Sequence, residues 1–290
     1  MEQSILNTPF KIGDVEFHNR VMNASGCNCT TSDDLLELAS SSSGGIISKS
    51  CTYEYRVGNE MPRYYDNNVL SINSTGLANN GYEFYAKYGE TIKSITNKPY
   101  IISVAGIKYR ENIKIIDKLQ QYENHDLIEL NLSCPNIIGK SQIGYDFEAS
   151  DELLRSLYEK IDNHNIGLKL PPYFDMVHFE NMADIIKKYP ICYLTCINSL
   201  GNGFVFNDSM EPSIVPKNGF GGIGGSVIKP FGLANVRKFN ELLPTIPIIG
   251  CGGITNKQDA YEYIKCGASL VQIGTQLVKS GPEIFDMLLT

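Results

Sequence analysis

A chain of 290 residues with 25 Lys and Arg against 32 Asp and Glu carries a formal charge of −7, which argues against a nucleic-acid backbone as partner, because binding one needs a cationic face. With 42% apolar and 20% charged residues, there is material for a packed core and too little charge for disorder. Eight cysteines in so long a chain, none in a Cys-x-x-Cys pair, make no disulfide framework and point to a reduced, cytoplasmic setting.

The four histidines lie far apart without zinc-ligand spacing, so no metal is expected. The first ten residues lack the basic stretch of a secretory signal. The densest apolar stretch, residues 189–197, is interrupted by Pro190 and is far shorter than the ~20 residues of a membrane span, so no membrane partner is expected.

In chain order, residues 10–17 alternate around Gly13-Asp14 and predict a hairpin. Eight short apolar runs then recur, at 20–26, 45–50, 100–106, 127–133, 166–172, 193–199, 246–253 and 270–275. The stretches between them carry helix signals. Ser32 opens one helix, Ser150 a second, and Asn256 opens another that Gly267 closes. Strand and helix in alternation signify parallel strands with crossover helices. Eight such units predict a single α/β domain over residues 1–290, a (β/α)8 TIM barrel with an N-terminal β-hairpin. Residues 51–80 and 200–230, after strands 2 and 6, are rich in Gly, Pro and Asn and read as long functional loops.

Barrels of this kind carry their active sites at the C-terminal strand ends. Here those ends supply Asn23, Ala24 and Ser25, then Lys49 and Ser50, Asn131 with Cys134 and Asn136, Lys169, and finally Asn198 and Ser199. A buried amide without a partner costs roughly 2–7 kcal/mol, so amides and two lysines at one mouth imply a polar, anionic ligand. The glycines after strands 7 and 8 (Gly252, Gly253, Gly274), with a third contact from the 221–225 glycine run, read as a phosphate site. Lys169 is placed to stabilise an anionic reduced flavin. Cys134, past a strand end and between amides, reads as a general base, whereas Cys27, Cys29, Cys51 and Cys251 read as packing residues.

The segments NASG at 23–26, SKS at 48–50, MPRY at 61–64, SINSTGLAN at 71–79, ELNLSCPN at 129–136, GLKLPPYFD at 167–175, INSLGNG at 197–203, GFGGIGG at 219–225 and GCGGI at 250–254 together resemble the dihydroorotate dehydrogenases. Within them the chain is most similar to class 1A, the soluble enzymes that use fumarate. The resemblance implies an FMN enzyme of pyrimidine biosynthesis that oxidises (S)-dihydroorotate to orotate, with Cys134 taking a proton from C5 while hydride leaves C6 for the flavin. It implies substrate contacts from Lys49, Asn73, Gly76, Leu77, Asn131, Asn136, Asn198 and Ser199. FMN would contact Ala24, Ser25, Lys49, Ser50, Asn131, Lys169 and Ile197, with its phosphate on Gly225, Gly252, Gly253, Gly274 and Thr275. Fumarate would follow orotate in the same pocket, and the enzyme would be a homodimer.

A serine base and an N-terminal amphipathic extension mark class 2, and neither is read here. Class 1B enzymes share the cysteine base but depend on an electron-transfer subunit, and their loop runs nearer GLQNPG than GLANNG. The alternatives are a class 1B-like enzyme, a catalytically silent flavin barrel, or a dihydrouracil oxidoreductase, which Asn136 opposes. Two departures from the family pattern, Thr75 for methionine and Ala78 for proline, predict a looser 73–80 loop. The chain ends at Thr290, within the expected eighth helix, where relatives commonly continue for roughly twenty residues.

Overall fold

The computed structural model describes residues 2–133 and 142–290. The hairpin is β1 (Phe10–Ile12) and β2 (Val15–Phe17), with Phe10 opposite Phe17 and Gly13 turning the chain at φ 57°, a value that suits a residue without Cβ. In chain order follow β3 (Val21–Asn23), β4 (Ile46–Ile47), β5 (Tyr64–Asp66), β6 (Ser71–Asn73), β7 (Tyr100–Val104), β8 (Leu127–Asn131), β9 (Ile166–Leu170), β10 (Leu194–Cys196), β11 (Leu200–Phe204), β12 (Phe220–Gly224), β13 (Ile248–Cys251) and β14 (Leu270–Ile273).

Eight of these lie parallel in the order β3-β14-β13-β10-β9-β8-β7-β4. This is the expected (β/α)8 barrel, and all eight predicted runs contain its strands. Between β3 and β4 the barrel closes with one backbone bond, Gly44 N donating to Val21 O at 2.7 Å, and through a side chain. Asn23 Nδ2 donates to Ile47 O at 2.7 Å and Asn23 Oδ1 accepts from Ile47 N at 3.0 Å, so the amide stands in for ladder bonds at the seam. Asn23 is fully buried, and its expected place among the ligand-facing amides is corrected accordingly.

The helices are α1 (Ser32–Ser40), α2 (Tyr82–Ile95), α3 (Tyr109–Leu119), α4 (Phe147–Tyr158), α5 (Met176–Ile186), α6 (Lys229–Leu242), α7 (Lys257–Lys265), α8 (Thr275–Ser280) and α9 (Glu283–Leu289). Asn256 caps α7 as expected, its Oδ1 accepting from Asp259 N at 3.0 Å. Two other starts differ. Thr31, not Ser32, caps α1, because Asp34 returns a bond to Thr31 N at 2.9 Å and completes a capping box. The cap of α4 is Asp146, whose carboxylate accepts from Ala149 N, while the Ser150 hydroxyl donates to Ile143 O at 2.7 Å. None of the described helices is long and apolar enough to cross a membrane.

The barrel floor is apolar. Ile12 and Phe17 of the hairpin pack with Met22, Ile47, Ile101, Leu127, Tyr193, Ile249 and Leu270, so the hairpin plugs the N-terminal end. Gly167 makes room for the Tyr193 ring, which a Cβ there would overlap. At the other end, the segments read as long loops form an antiparallel sheet in the order β11-β12-β6-β5. Asn73 of β6 pairs with both Gly222 and Tyr64, so the insertions after strands 2 and 6 build one structure.

His125, just before β8, has a buried Nδ1 with no partner among the described residues. Burial lowers its pKa to about 4, against an opposing pull from Asp126. The folded state therefore holds it neutral, while the unfolded chain takes up a proton below about pH 6.5. Stability should fall between pH 6.5 and 4, by up to about 3 kcal/mol from this group. Urea midpoints of the parent and His125→Gln at pH 7.5 and 4.5 check this, with the variant losing less on acidification.

Candidate active site

Where the C-terminal strand ends meet the small sheet lies a cavity of about 890 Å³, open mouth included. Its walls come from β3, β9, β10, β13 and β14 on the barrel side and from β5, β6 and β12 on the other. Side chains alternate along a strand, and the inward positions change character with height. Above the apolar floor they are polar, with Ser103, Glu129, Lys169, Thr195 and Gln272 all buried.

Lys169 is 3% exposed and lines the cavity. Its ammonium donates to Gln272 Oε1 at 3.0 Å and approaches Cys251 Sγ at 3.6 Å. Burial opposes its charge, but Cys251 and the negative charge of Glu129 outweigh that and raise its pKa above the ordinary lysine value. Burial in turn pushes the pKa of the Cys251 thiol up, against an opposing pull from Lys169. Lys49, less buried, donates to Gly26 O at 2.8 Å.

Between the lysines runs a network of amides and hydroxyls. Asn198 Nδ2 donates to Ser133 Oγ at 2.8 Å and to Asn131 Oδ1 at 3.3 Å. Asn131 Nδ2 donates to Ser50 Oγ at 3.2 Å, and Ser50 Oγ lies 3.1 Å from Ser25 Oγ and 2.8 Å from Ser103 Oγ. On the facing sheet Asn73 Nδ2 donates to Gly222 O at 3.2 Å. Each amide is thus oriented by a neighbour, which is the preorganisation that a planar polar ligand requires.

At the other end the wall is backbone. Gly225, Gly252 and Gly253 have φ values of 84°, 128° and 71°, where a Cβ would be strained. A Cβ on Gly253 would meet Lys229 N at 2.8 Å and Gly225 O at 2.9 Å, and one on Gly224 would meet Thr275 Oγ1 at 3.0 Å. These turns pack against one another, with Gly274 beside Ala24. Thr275 Oγ1 lies 2.9 Å from Ser71 Oγ. Close-packed glycine backbone at one end and a buried ammonium at the other suit an elongated anion with a phosphate at its glycine end. Gly253→Ala should lower affinity for such a ligand at least tenfold, because the strained turn must shift. Titration calorimetry of the ligand-stripped protein checks this.

Comparison with known proteins decides the family. A family model described as dihydroorotate dehydrogenase matches residues 8–290. The chain belongs to the dihydroorotate dehydrogenase family. It is 48% identical over 292 residues to dihydroorotate dehydrogenase A (fumarate) of Lactococcus lactis subsp. lactis strain IL1403, covering 98% of this chain and 92% of that protein. It is 47% identical over 289 residues to the protein of the same name from subsp. cremoris strain MG1363, with the same coverage.

The dihydroorotate dehydrogenase resemblance nominated particular residues. The structure places Ala24, Ser25, Asn73, Lys169, Ile197, Asn198 and Ser199 in the cavity wall, with Gly225, Gly252, Gly253, Gly274 and Thr275. Lys49, Ser50 and Asn131 join it through the bonds given above. Gly76 and Leu77 lie outside the cavity wall, in a segment tied to residues 56–59. Arg56 donates to Gly76 O, Asn59 N to Thr75 O at 3.0 Å, and Arg56 and Asn79 exchange backbone bonds. The segment expected to be loose is thus hydrogen-bonded along its length. Cys134 and Asn136 fall outside the described residues. Cys29 and Cys51 are buried packing residues, as read, but Cys27 and Cys251 line the cavity. Sequence reading also passed over Glu129, two residues before Asn131 on the same face of β8, and Gln272, two residues before Gly274.

Proposed function

We propose that this dihydroorotate dehydrogenase oxidises (S)-dihydroorotate to orotate in pyrimidine biosynthesis, and that fumarate is the final electron acceptor. The cofactor is FMN. The carrying observation is Lys169, a buried ammonium at the cavity wall, held by Gln272 and facing away from bulk water. Such a charge stabilises negative charge on a bound ring. FMN would lie with its ring toward Lys169, Ser25 and Ile197 and its phosphate at Gly225, Gly252, Gly253, Gly274 and Thr275. When bound, it supplies a hydride acceptor that no side chain can replace.

The chain's own groups do the rest. Asn73, Asn131 and Asn198, with Asn136, hold the ring amides and carboxylate of the substrate, and Lys49 and Ser199 stand beside them. Cys134 takes the C5 proton. The same polar pocket accepts fumarate, a small dicarboxylate, once orotate has left. The setting is cytoplasmic, and the assembly is a homodimer. An exposed aromatic patch at the edge of the small sheet supports the dimer: the Phe204 ring lies 5.1 Å from Phe206, edge-on, and 5.4 Å from Phe220, and Phe204, Phe206 and Phe220 are 39%, 52% and 46% exposed.

The test is chemical. Heat-released cofactor should co-elute with FMN at one per chain, and steady-state assays should show orotate formed with fumarate but not with NAD⁺. A colourless protein, or turnover with dihydrouracil in preference to dihydroorotate, would refute the reading.

A further inference from the structure

One charged side chain inside the barrel has no part in that chemistry. Glu129 lies in mid-β8, fully buried, two residues before Asn131 on the same face of the strand. Its Oε2 accepts from Thr195 Oγ1 at 2.7 Å and from Gln272 Nε2 at 3.3 Å, while Gln272 Oε1 accepts from the Lys169 ammonium at 3.0 Å. Its Oε1 is buried and has no partner among the described residues. The Gln272 amide therefore stands between carboxylate and ammonium with each end facing the matching group.

Among the described residues the buried charged side chains are Glu129, Lys169 and Asp259, and Asp259 pairs with Lys229 on the outside of the barrel. Among the described residues the barrel interior thus holds one acidic and one basic side chain. A glutamine at 129 could accept the same hydrogen bonds, so what the glutamate adds is its charge. A buried charge is costly to keep unless it answers another, and here the other is the ammonium at the cavity wall.

We propose that Glu129 is a positioning residue for the redox step: through Gln272 it fixes the Lys169 ammonium and balances part of its charge, and so sets how strongly the protein favours the reduced, anionic cofactor. This rests on the flavin reading of the cavity. Removing the carboxylate leaves the ammonium uncompensated and moves the reduction equilibrium toward the reduced ring.

The reduction potential of the bound flavin tests it, measured on the purified holoenzyme by dye equilibration. Glu129→Gln should shift the equilibrium toward reduction at least tenfold, about 30 mV upward for a two-electron couple. Glu129→Asp, which keeps the charge, should stay within threefold of the parent. A yellow Glu129→Gln protein with an unchanged or lower potential overturns the proposal. A parent without bound flavin instead overturns the reading on which it rests. Where Glu129→Gln does not yield folded protein, thermal unfolding of Lys169→Met and the Glu129→Gln/Lys169→Met pair decides. A pair more stable than Lys169→Met alone supports the charge balance, and a pair no more stable than that single variant overturns it.

Discussion

Changing Cys134 to serine is expected to slow reduction of the bound flavin by dihydroorotate by about 10²–10⁴-fold at neutral pH, the range that general bases contribute. Orotate affinity should change little, because the substrate ring is held by Asn73, Asn131, Asn198 and Asn136. The cause is the proton affinity of the two side chains. A thiol of ordinary pKa ~8.5 is partly ionised near neutrality, whereas a hydroxyl is not. For the same reason, reduction by the parent should accelerate toward alkaline pH. Anaerobic rapid mixing from pH 6 to 9 checks both, and equal rates in variant and parent would remove Cys134 from the proposed role.

The second large effect is on stability. Lys169→Met removes the only cation in the barrel interior among the described residues and leaves Glu129 buried beside Gln272 and Thr195. Breaking one side of a buried charge pair typically costs about 3–5 kcal/mol, and at this chain length that corresponds to a fall in Tm of the order of 10 °C. The variant should also lose its yellow colour, since the ammonium is the charged group at the cavity wall next to the proposed ring site. Calorimetry and the flavin absorbance of one sample read both. A stable, yellow Lys169→Met protein would mean that neither the charge pair nor the ring site is as described.

The barrel was legible because its strands are buried on both faces and so read as short continuous apolar runs rather than as alternating ones. Helix starts were less so. Ser32 and Ser150 are good caps in isolation, and only the return bond from Asp34 and the carboxylate of Asp146 show which residue takes the place. The small antiparallel sheet was not legible. Its strands come from segments about 150 residues apart, and glycines occupy three of the five positions of β12. Local pattern carries no sign that Asn73 pairs with Gly222.

At the site, polar residues at strand ends stood out against apolar surroundings, and so Lys169, Asn131 and Asn198 were found. Glu129 and Gln272 lie inside the strands, where a single polar residue in an apolar run draws less notice. Asn23 shows the opposite error. Its position at a strand end resembles that of Asn131 and Asn198, yet its amide closes the barrel seam. A strand end alone does not distinguish a ligand contact from a structural bond, and the two-residue strand β4 leaves a shortage of ladder bonds that only the assembled barrel reveals.

The most direct test of the central claim is a double-mixing experiment under anaerobic conditions. The purified protein is mixed with dihydroorotate while flavin absorbance is followed, then with fumarate or NAD⁺. The account predicts bleaching by dihydroorotate and recovery with fumarate alone. Bleaching that only NAD⁺ or an added electron-transfer protein reverses would contradict the assignment of fumarate, and no bleaching would contradict the assignment of dihydroorotate.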